Sequence, residues 1–519
     1  MKLFRGAKPD HPMAEPKEAR QLLDEIAAHD PLKALEELAD WHESVAAAEG
    51  FKPDARIQLL FSIDEAAQPH DRKIAREYLG ATRPSRFQEN RIWTRLHEYC
   101  RRCGHAYALS VDAVLQGVKG ADAAKPLLPL LVVRALRAIS QQIKWLHMRY
   151  GPIDPAVWRV LNGIYAFAEG QGIADFKVPF VHPGTGGEST PRQEFAKTLM
   201  LNASSPDSLL PSEVELAERL IGDLAPNLLL MELALPELTH WTDLAQAMAP
   251  LRLAKAPSAA PGVRFFGAGG AVAALEALIR RIETTGQLPA SVAAAGGFDS
   301  EAAIDLMRHL VLYWSPVAPE RKHPRHSVKS RVSIVHGFEG VVGALNGAAG
   351  PAAAPAGTPE ALEADRQVAE NWIVENVSAG GFGAVVPQAK GDWLKIGALL
   401  AMQPDGGNNW VVGMVRRVSK ISIHEARVGI QMLSRAPELA HFALRGARPD
   451  QAQEPGVLLP APGLGSGEAS IALRTGVFVP GQTMENQRGG RGYVYMPQDL
   501  VERGDDYDIV RFREMMRDS

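Results

Sequence analysis

The sequence predicts a multidomain α + β protein, with an all-α N-terminal region, then a small β-barrel or sheet, then a further β-rich segment. Three observations lead there. A length of 519 residues leaves room for two to four domains. Through the first three hundred residues, apolar side chains recur at helical spacing. After about Pro316 they gather instead into short β-branched runs punctuated by Gly, Asn, Asp and Pro. The expected boundaries are 1–315 for the helical region, 316–437 for the first β module and 438–519 for a C-terminal β-rich extension or second small barrel.

In the helical region, Asp30-Pro31 and Asp154-Pro155 each read as an N-cap followed by proline at the first helical position. Leu35, Leu38, Trp41 and Val45 then repeat at helical spacing. Segments 86–102, 127–150, 155–167, 191–200, 211–221 and 301–313 continue the pattern. No strict repeat period is visible, so a helical bundle or irregular stack of helix pairs is expected. By analogy such stacks serve as partner-binding scaffolds. Beyond Arg331 come the strand-like runs VSIVHGF, NWIVENVS, FGAVVP, WLKIGALLAM, NWVVGMVRRV and RVGIQML. The Ala, Gly and Pro-rich stretch 343–364 between the first two reads as a flexible inserted loop. The runs GVLLPAP, ASIALRTGVFVPG and GYVYMP carry the β character onward.

Composition narrows the function classes. A net charge of −4 gives no global pull toward nucleic acid or an anionic membrane, so an anion site must be built locally. Two cysteines in so long a chain suit a reducing compartment. The first twenty residues lack an apolar signal core, and Leu127–Val133 is far too short to span a membrane. The expectation is a soluble, cytoplasmic protein without a membrane span.

Two short motifs stand at the start of the β region. Arg321-Lys322-His323-Pro324-Arg325 is an R-x-x-x-R just before the first strand. Asn376-Val377-Ser378-Ala379-Gly380-Gly381 is an N-x-S-x-x-G on a turn after the strand NWIVE. Arg321, Lys322, Arg325, Lys329 and Arg331 face one acid, Glu320, within residues 320–331. Pro324 disfavours helix at His323, so the segment reads as an extended strap. Guanidinium groups on such a strap can fork onto phosphate oxygens or onto guanine O6 and N7, and can stack on a base. Asn376 and Ser378 offer short-range donors and acceptors, while Gly380 and Gly381 permit a tight turn and close ligand approach. The combination suits a doubly anionic, guanine-bearing ligand.

This order of motifs and strands resembles the PilZ family over about residues 318–437. The resemblance implies a six-stranded antiparallel β-barrel that binds cyclic di-GMP. It implies that Arg321 and Arg325 grip phosphates and guanine, and that Asn376, Ser378 and Gly381 contact the second guanine. The long insertion at 343–364 departs from the family pattern without removing a motif residue.

Other signals carry less. Glu276-Ala277-Leu278-Ile279-Arg280 spells E-A-L-x-R, as in cyclic di-GMP phosphodiesterases, but sits in an Ala/Leu helix and lacks the further carboxylates a two-metal site needs. His97, Cys100, Cys103 and His105 have metal-ligand residue types, yet lie on an expected helix with Gly104 near its end, where they cannot all converge on one metal without breaking it. Phe266-Gly267-Ala268-Gly269-Gly270 lacks the full dinucleotide-binding spacing and reads as a loop and helix start. Trp41, Trp93, Trp145, Trp158 and Phe167 read as packing residues. The expectation is a receptor with no catalytic residues, no metal and no cofactor beyond its ligand. It would couple cyclic di-GMP to domain reorientation and to a protein partner of the helical region. The alternative is a ligand-independent scaffold with a degenerate barrel.

Overall fold

The computed structural model describes residues 9–517 apart from 81–84, 180–186, 255–256, 258–259, 294–297, 318–322, 349–368, 388–392, 423, 446–452, 462 and 466. The chain divides into two compact units, Met1–Pro319 and Glu320–Ser519.

The first unit holds α1 (Pro16–Ala27), α2 (Pro31–Ala47), α3 (Pro53–Leu79), α4 (Arg86–Leu115), α5 (Ala121–Ala124), α6 (Leu128–His147), α7 (Pro155–Gly170), α8 (Pro191–Ala203) and α9 (Pro211–Asp223). After a small sheet come α10 (Ala271–Thr285), α11 (Ala290–Ala293) and α12 (Ser300–Trp314). Helices α1, α2, α3, α7, α8 and α9 each open on a proline, where the missing N–H costs nothing. Asp30 caps α2 through Leu32 N at 3.1 Å, and Asp154 caps α7 through Ala156 N at 2.8 Å. The core runs through Leu35, Leu60, Tyr107, Leu136, Trp145, Trp158 and Phe195. Buried ion pairs and hydrogen bonds tie the helices. Lys144 Nζ meets Glu215 at 2.8 Å and Glu218 at 2.9 Å, and Asp64 accepts from Tyr99 and Tyr107 at 3.0 and 3.2 Å.

Helix α4 runs on past Gly104 to Leu115, so that glycine does not end it. A Cβ at Gly104 would lie 3.1 Å from Ile139, so the glycine lets α4 and α6 approach closely. The region is also not helical throughout. A two-stranded ribbon joins β1 (Val178–Pro179) to β2 (Glu188–Ser189). A four-stranded sheet has the order β3-β6-β4-β5, from β3 (Leu229–Met231), β4 (His240–Asp243), β5 (Leu251–Arg252) and β6 (Val263–Gly267). Among the described residues, no helix is long and apolar enough to cross a membrane.

The second unit contains two closed six-stranded antiparallel barrels. The first is formed by β7 (His326–His336), β8 (Glu370–Ser378), β9 (Gly381–Pro387), β10 (Leu399–Pro404), β11 (Val411–Lys420) and β12 (Glu425–Ser434), in the order β10-β11-β12-β9-β8-β7. The second is formed by β13 (Glu438–Leu444), β14 (Glu454–Leu458), β15 (Glu468–Arg474), β16 (Met484–Arg488), β17 (Arg491–Arg503) and β18 (Tyr507–Met516), in the order β13-β14-β15-β18-β17-β16. The β-rich C-terminal segment is therefore a barrel in its own right.

The inserted stretch is not all loop. Helix α13 (Gly337–Ala348) follows β7 directly, so positions 343–348 are helical; residues 349–364 lie outside the described residues. Its Phe338, Val341 and Leu345 share one core with Leu399, Val412 and Met414 of the first barrel and Val457, Ala472 and Tyr507 of the second. Asp506 Oδ2 accepts from Phe338 N at 2.7 Å and caps the helix from the other barrel. Tyr507 donates to Gly397 O at 2.6 Å, and Arg416 pairs with Glu502 at 2.8 Å.

Candidate functional site

The site forms at one rim of the first barrel, where β7 begins and β8 ends. The two strands run antiparallel with His326 opposite Val377 and Ser327 opposite Asn376. This is the end pair of the ladder, and Arg325 and Ser378 are the next residues of the two strands beyond it. The strap and the N-x-S-x-x-G turn therefore meet at the same edge. A second contact agrees: a Cβ on Gly380 would lie 3.1 Å from His323 Cδ2, so the imidazole rests on the turn. The β7 register slips by one between Ser327 and Ser330, a bulge that sets Val328 and Lys329 against Glu375. Bulges of this kind bend the strand and re-aim neighbouring side chains.

The turn joins β8 to β9 with Ser378 paired to Gly381. Ser378 Oγ donates to Gly381 O at 3.0 Å, Met432 N donates to Gly380 O at 3.0 Å, and Arg435 Nη2 donates to Ala379 O at 3.3 Å. Three successive carbonyls are thus held from three directions. Gly381 is dictated by space. A Cβ there would stand 2.0 Å from Ile430 O on β12, closer than any side chain tolerates.

Asn376 is half-buried and folds over Gly383, the residue opposite it on β9. A Cβ on Gly383 would meet Asn376 Nδ2 at 2.7 Å. The amide oxygen, Asn376 Oδ1, is buried and accepts no hydrogen bond from the described residues. An unsatisfied buried acceptor costs about 1–3 kcal/mol, so a donor from a bound ligand would recover it. Arg325 is exposed and has no ion-pair partner among the described residues. The acid nearest the bulge, Glu375, is taken by Arg427 at 3.0 Å. Among the described residues, the rim thus offers an exposed guanidinium without an ion-pair partner and an amide oxygen without a donor.

Of the five positions singled out in the sequence, Arg325, Asn376, Ser378 and Gly381 come together here. Arg321 lies outside the described residues. Sequence reasoning missed Gly383, Arg435 and the place of His323. Gly383 had a signal: it stands two residues after Gly381, at the same-face spacing of a strand. Arg435 had none, because its approach to Ala379 depends on the pairing of β12 with β9.

Of the other candidates, the cysteines and most of the aromatic residues pack into the helical core. Cys100 and Cys103 are buried on α4, with their thiols pushed well up by burial. Among the described residues, no group of three or more His, Cys, Asp or Glu side chains could hold a metal ion. Glu276 is exposed on α10. Gly267 ends strand β6 rather than a loop, and Cβ atoms on Gly267 and Gly269 would collide with the Glu237 and Asn227 carbonyls at 2.8 and 2.5 Å. That turn is closed by its own backbone. Trp145, Trp158 and Phe167 are buried, and half-buried Trp93 donates to Trp145 O at 2.7 Å.

Comparison with protein families decides the fold's kinship. Residues 352–438 match the family described as cyclic-di-GMP receptor FimW, middle PilZ domain. The C-terminal part of the chain thus contains a PilZ domain. The matched stretch of this PilZ domain spans β8 to β12 and contains Asn376, Ser378 and Gly381. The strap and β7 precede it. Residues 17–235, from α1 through β3, match the family described as cyclic-di-GMP receptor FimW, N-terminal domain. The helical region and the PilZ domain thus match two parts of one receptor family. No curated protein matches the chain.

Proposed function

We propose that this chain binds cyclic di-GMP at the rim of its PilZ barrel through Arg321, Arg325, Asn376, Ser378 and Gly381, and acts as a cytoplasmic effector without enzymatic activity. The observation that supports the reading is the β7–β8 ladder, whose end pair, His326 with Val377, is next in sequence to Arg325 and Ser378, while His323 lies on Gly380. A phosphodiester beside Arg325 gains a charge-assisted, forked contact. A guanine N–H donated to Asn376 Oδ1 would satisfy the orphaned acceptor. The strap follows the helical unit directly in sequence. A ligand that binds this strap would shift the preferred arrangement of the two units, and a protein partner of the helices would read that shift.

The test is titration calorimetry of the full chain with cyclic di-GMP. Arg321→Ala, Arg325→Ala and Asn376→Ala should each weaken binding by about ten-fold or more, since a hydrogen bond to a charged group is worth roughly 1.5–3 kcal/mol. Circular dichroism should show an unchanged fold. Wild-type affinity in all three variants would refute the site.

A further inference from the structure

We infer that Arg435 is a positioning residue that links the ligand-facing turn of the PilZ barrel to the second barrel, so that occupancy of the site is felt at β14. The inference rests on the ligand site proposed above and adds its route of read-out.

Arg435 is the first residue after β12. It donates to Ala379 O, at the tip of the turn that carries Ser378 and Gly381. Its chain neighbour Ser434 is buried and points the other way, donating through Oγ to Pro460 O at 2.8 Å. Pro460 lies two residues beyond β14 of the second barrel. Ser434 Oγ also accepts from Ala436 N at 3.3 Å, which fixes the chain where it leaves one barrel for the other. Only Arg435, Ala436 and Pro437 separate β12 from β13, and β13 at once pairs with β14, Glu438 opposite Leu458. Adjacent residues of one short link thus hold the ligand turn and the second barrel.

The link is placed to transmit. Three residues leave little slack to absorb a shift of the turn. The Arg435 side chain is exposed and holds its carbonyl at 3.3 Å, so the clasp is the longest of the three bonds on the turn. A ligand that fixes the turn favours the clasped state. By reciprocity the clasped state favours ligand. The same restraint then bears on Ser434 and the Pro460 carbonyl.

Hydrogen–deuterium exchange on the full chain, with and without cyclic di-GMP, tests this with Arg435→Ala and Arg435→Lys. In the wild type, ligand should slow exchange several-fold both at the turn, 376–383, and at 454–461. Arg435→Ala should keep the slowing at the turn and lose it at 454–461. Arg435→Lys, which retains one donor, should restore part of it. Slowing at 454–461 that survives Arg435→Ala, or is absent from a ligand-bound wild type, overturns the inference. A wild type that shows no binding defeats the site assignment instead. The ligand-free arm then decides: Arg435→Ala must still speed exchange at 379–383, and equal exchange overturns the clasp.

Discussion

A methyl group on Gly383 would press against the Asn376 amide, so the pose of the orphaned acceptor depends on a residue outside both motifs. Gly383→Ala should turn that amide aside and weaken cyclic di-GMP binding by about ten-fold, near the worth of one hydrogen bond, with little loss of barrel stability. Calorimetry beside thermal melting separates the two effects; an unchanged affinity would mean the amide has room to relax. A second residue-scale consequence lies in the helical unit. His42 is fully buried between Tyr99 and Tyr107, and neither ring nitrogen has a partner among the described residues. Burial pushes its pKa down to about 4. The unfolded chain therefore binds the proton first as pH falls, and stability drops from about pH 6.5 toward 4. One such group accounts for roughly 2–3 kcal/mol over that window. His42→Phe should flatten the fall, which melting curves between pH 7 and 4.5 would show as a smaller shift in Tm.

Helix α13 shows where pattern reading runs out among the elements. Gly337, Gly340, Gly343 and Gly347 give the stretch low helix propensity, and its Ala/Gly content reads as loop. The helix forms because Phe338, Val341 and Leu345 fall on one face and are buried between two barrels, a demand that no local window contains. Likewise β1 to β6, at two to five residues each, are too short to break a helical pattern by eye. By contrast, the long helices with Asp-Pro starts and the strands β8 to β12 were legible, since their periodicity and punctuation are local. The turn between β8 and β9 was legible from the motif Asn376, Ser378 and Gly381, and its outer support by Arg435 was not. Phe338→Ala should cost about 3–5 kcal/mol, since the side chain is fully buried. Calorimetry of the variant should resolve separate transitions for the two barrels. A single undisplaced transition would show that α13 is not what joins them.

At the scale of the whole molecule, a helical unit matching a receptor family's N-terminal domain precedes a double barrel that contains its PilZ domain. The two barrels share a core with α13, so under the proposed function a ligand held at one rim would have a covalent and a packed path into the second barrel. The chain's thiols add a practical consequence. Cys100 and Cys103 are its only cysteines, both buried within α4, and burial holds each as the unreactive protonated thiol. Native protein should react with a disulfide reagent such as Ellman's only as fast as the helical unit opens, and much faster in urea. A single cysteine engineered on the surface of either barrel then becomes the sole quick target. With one such cysteine on a barrel and a second on the surface of the helical unit, spin or fluorescent label pairs could report inter-unit distances with and without cyclic di-GMP.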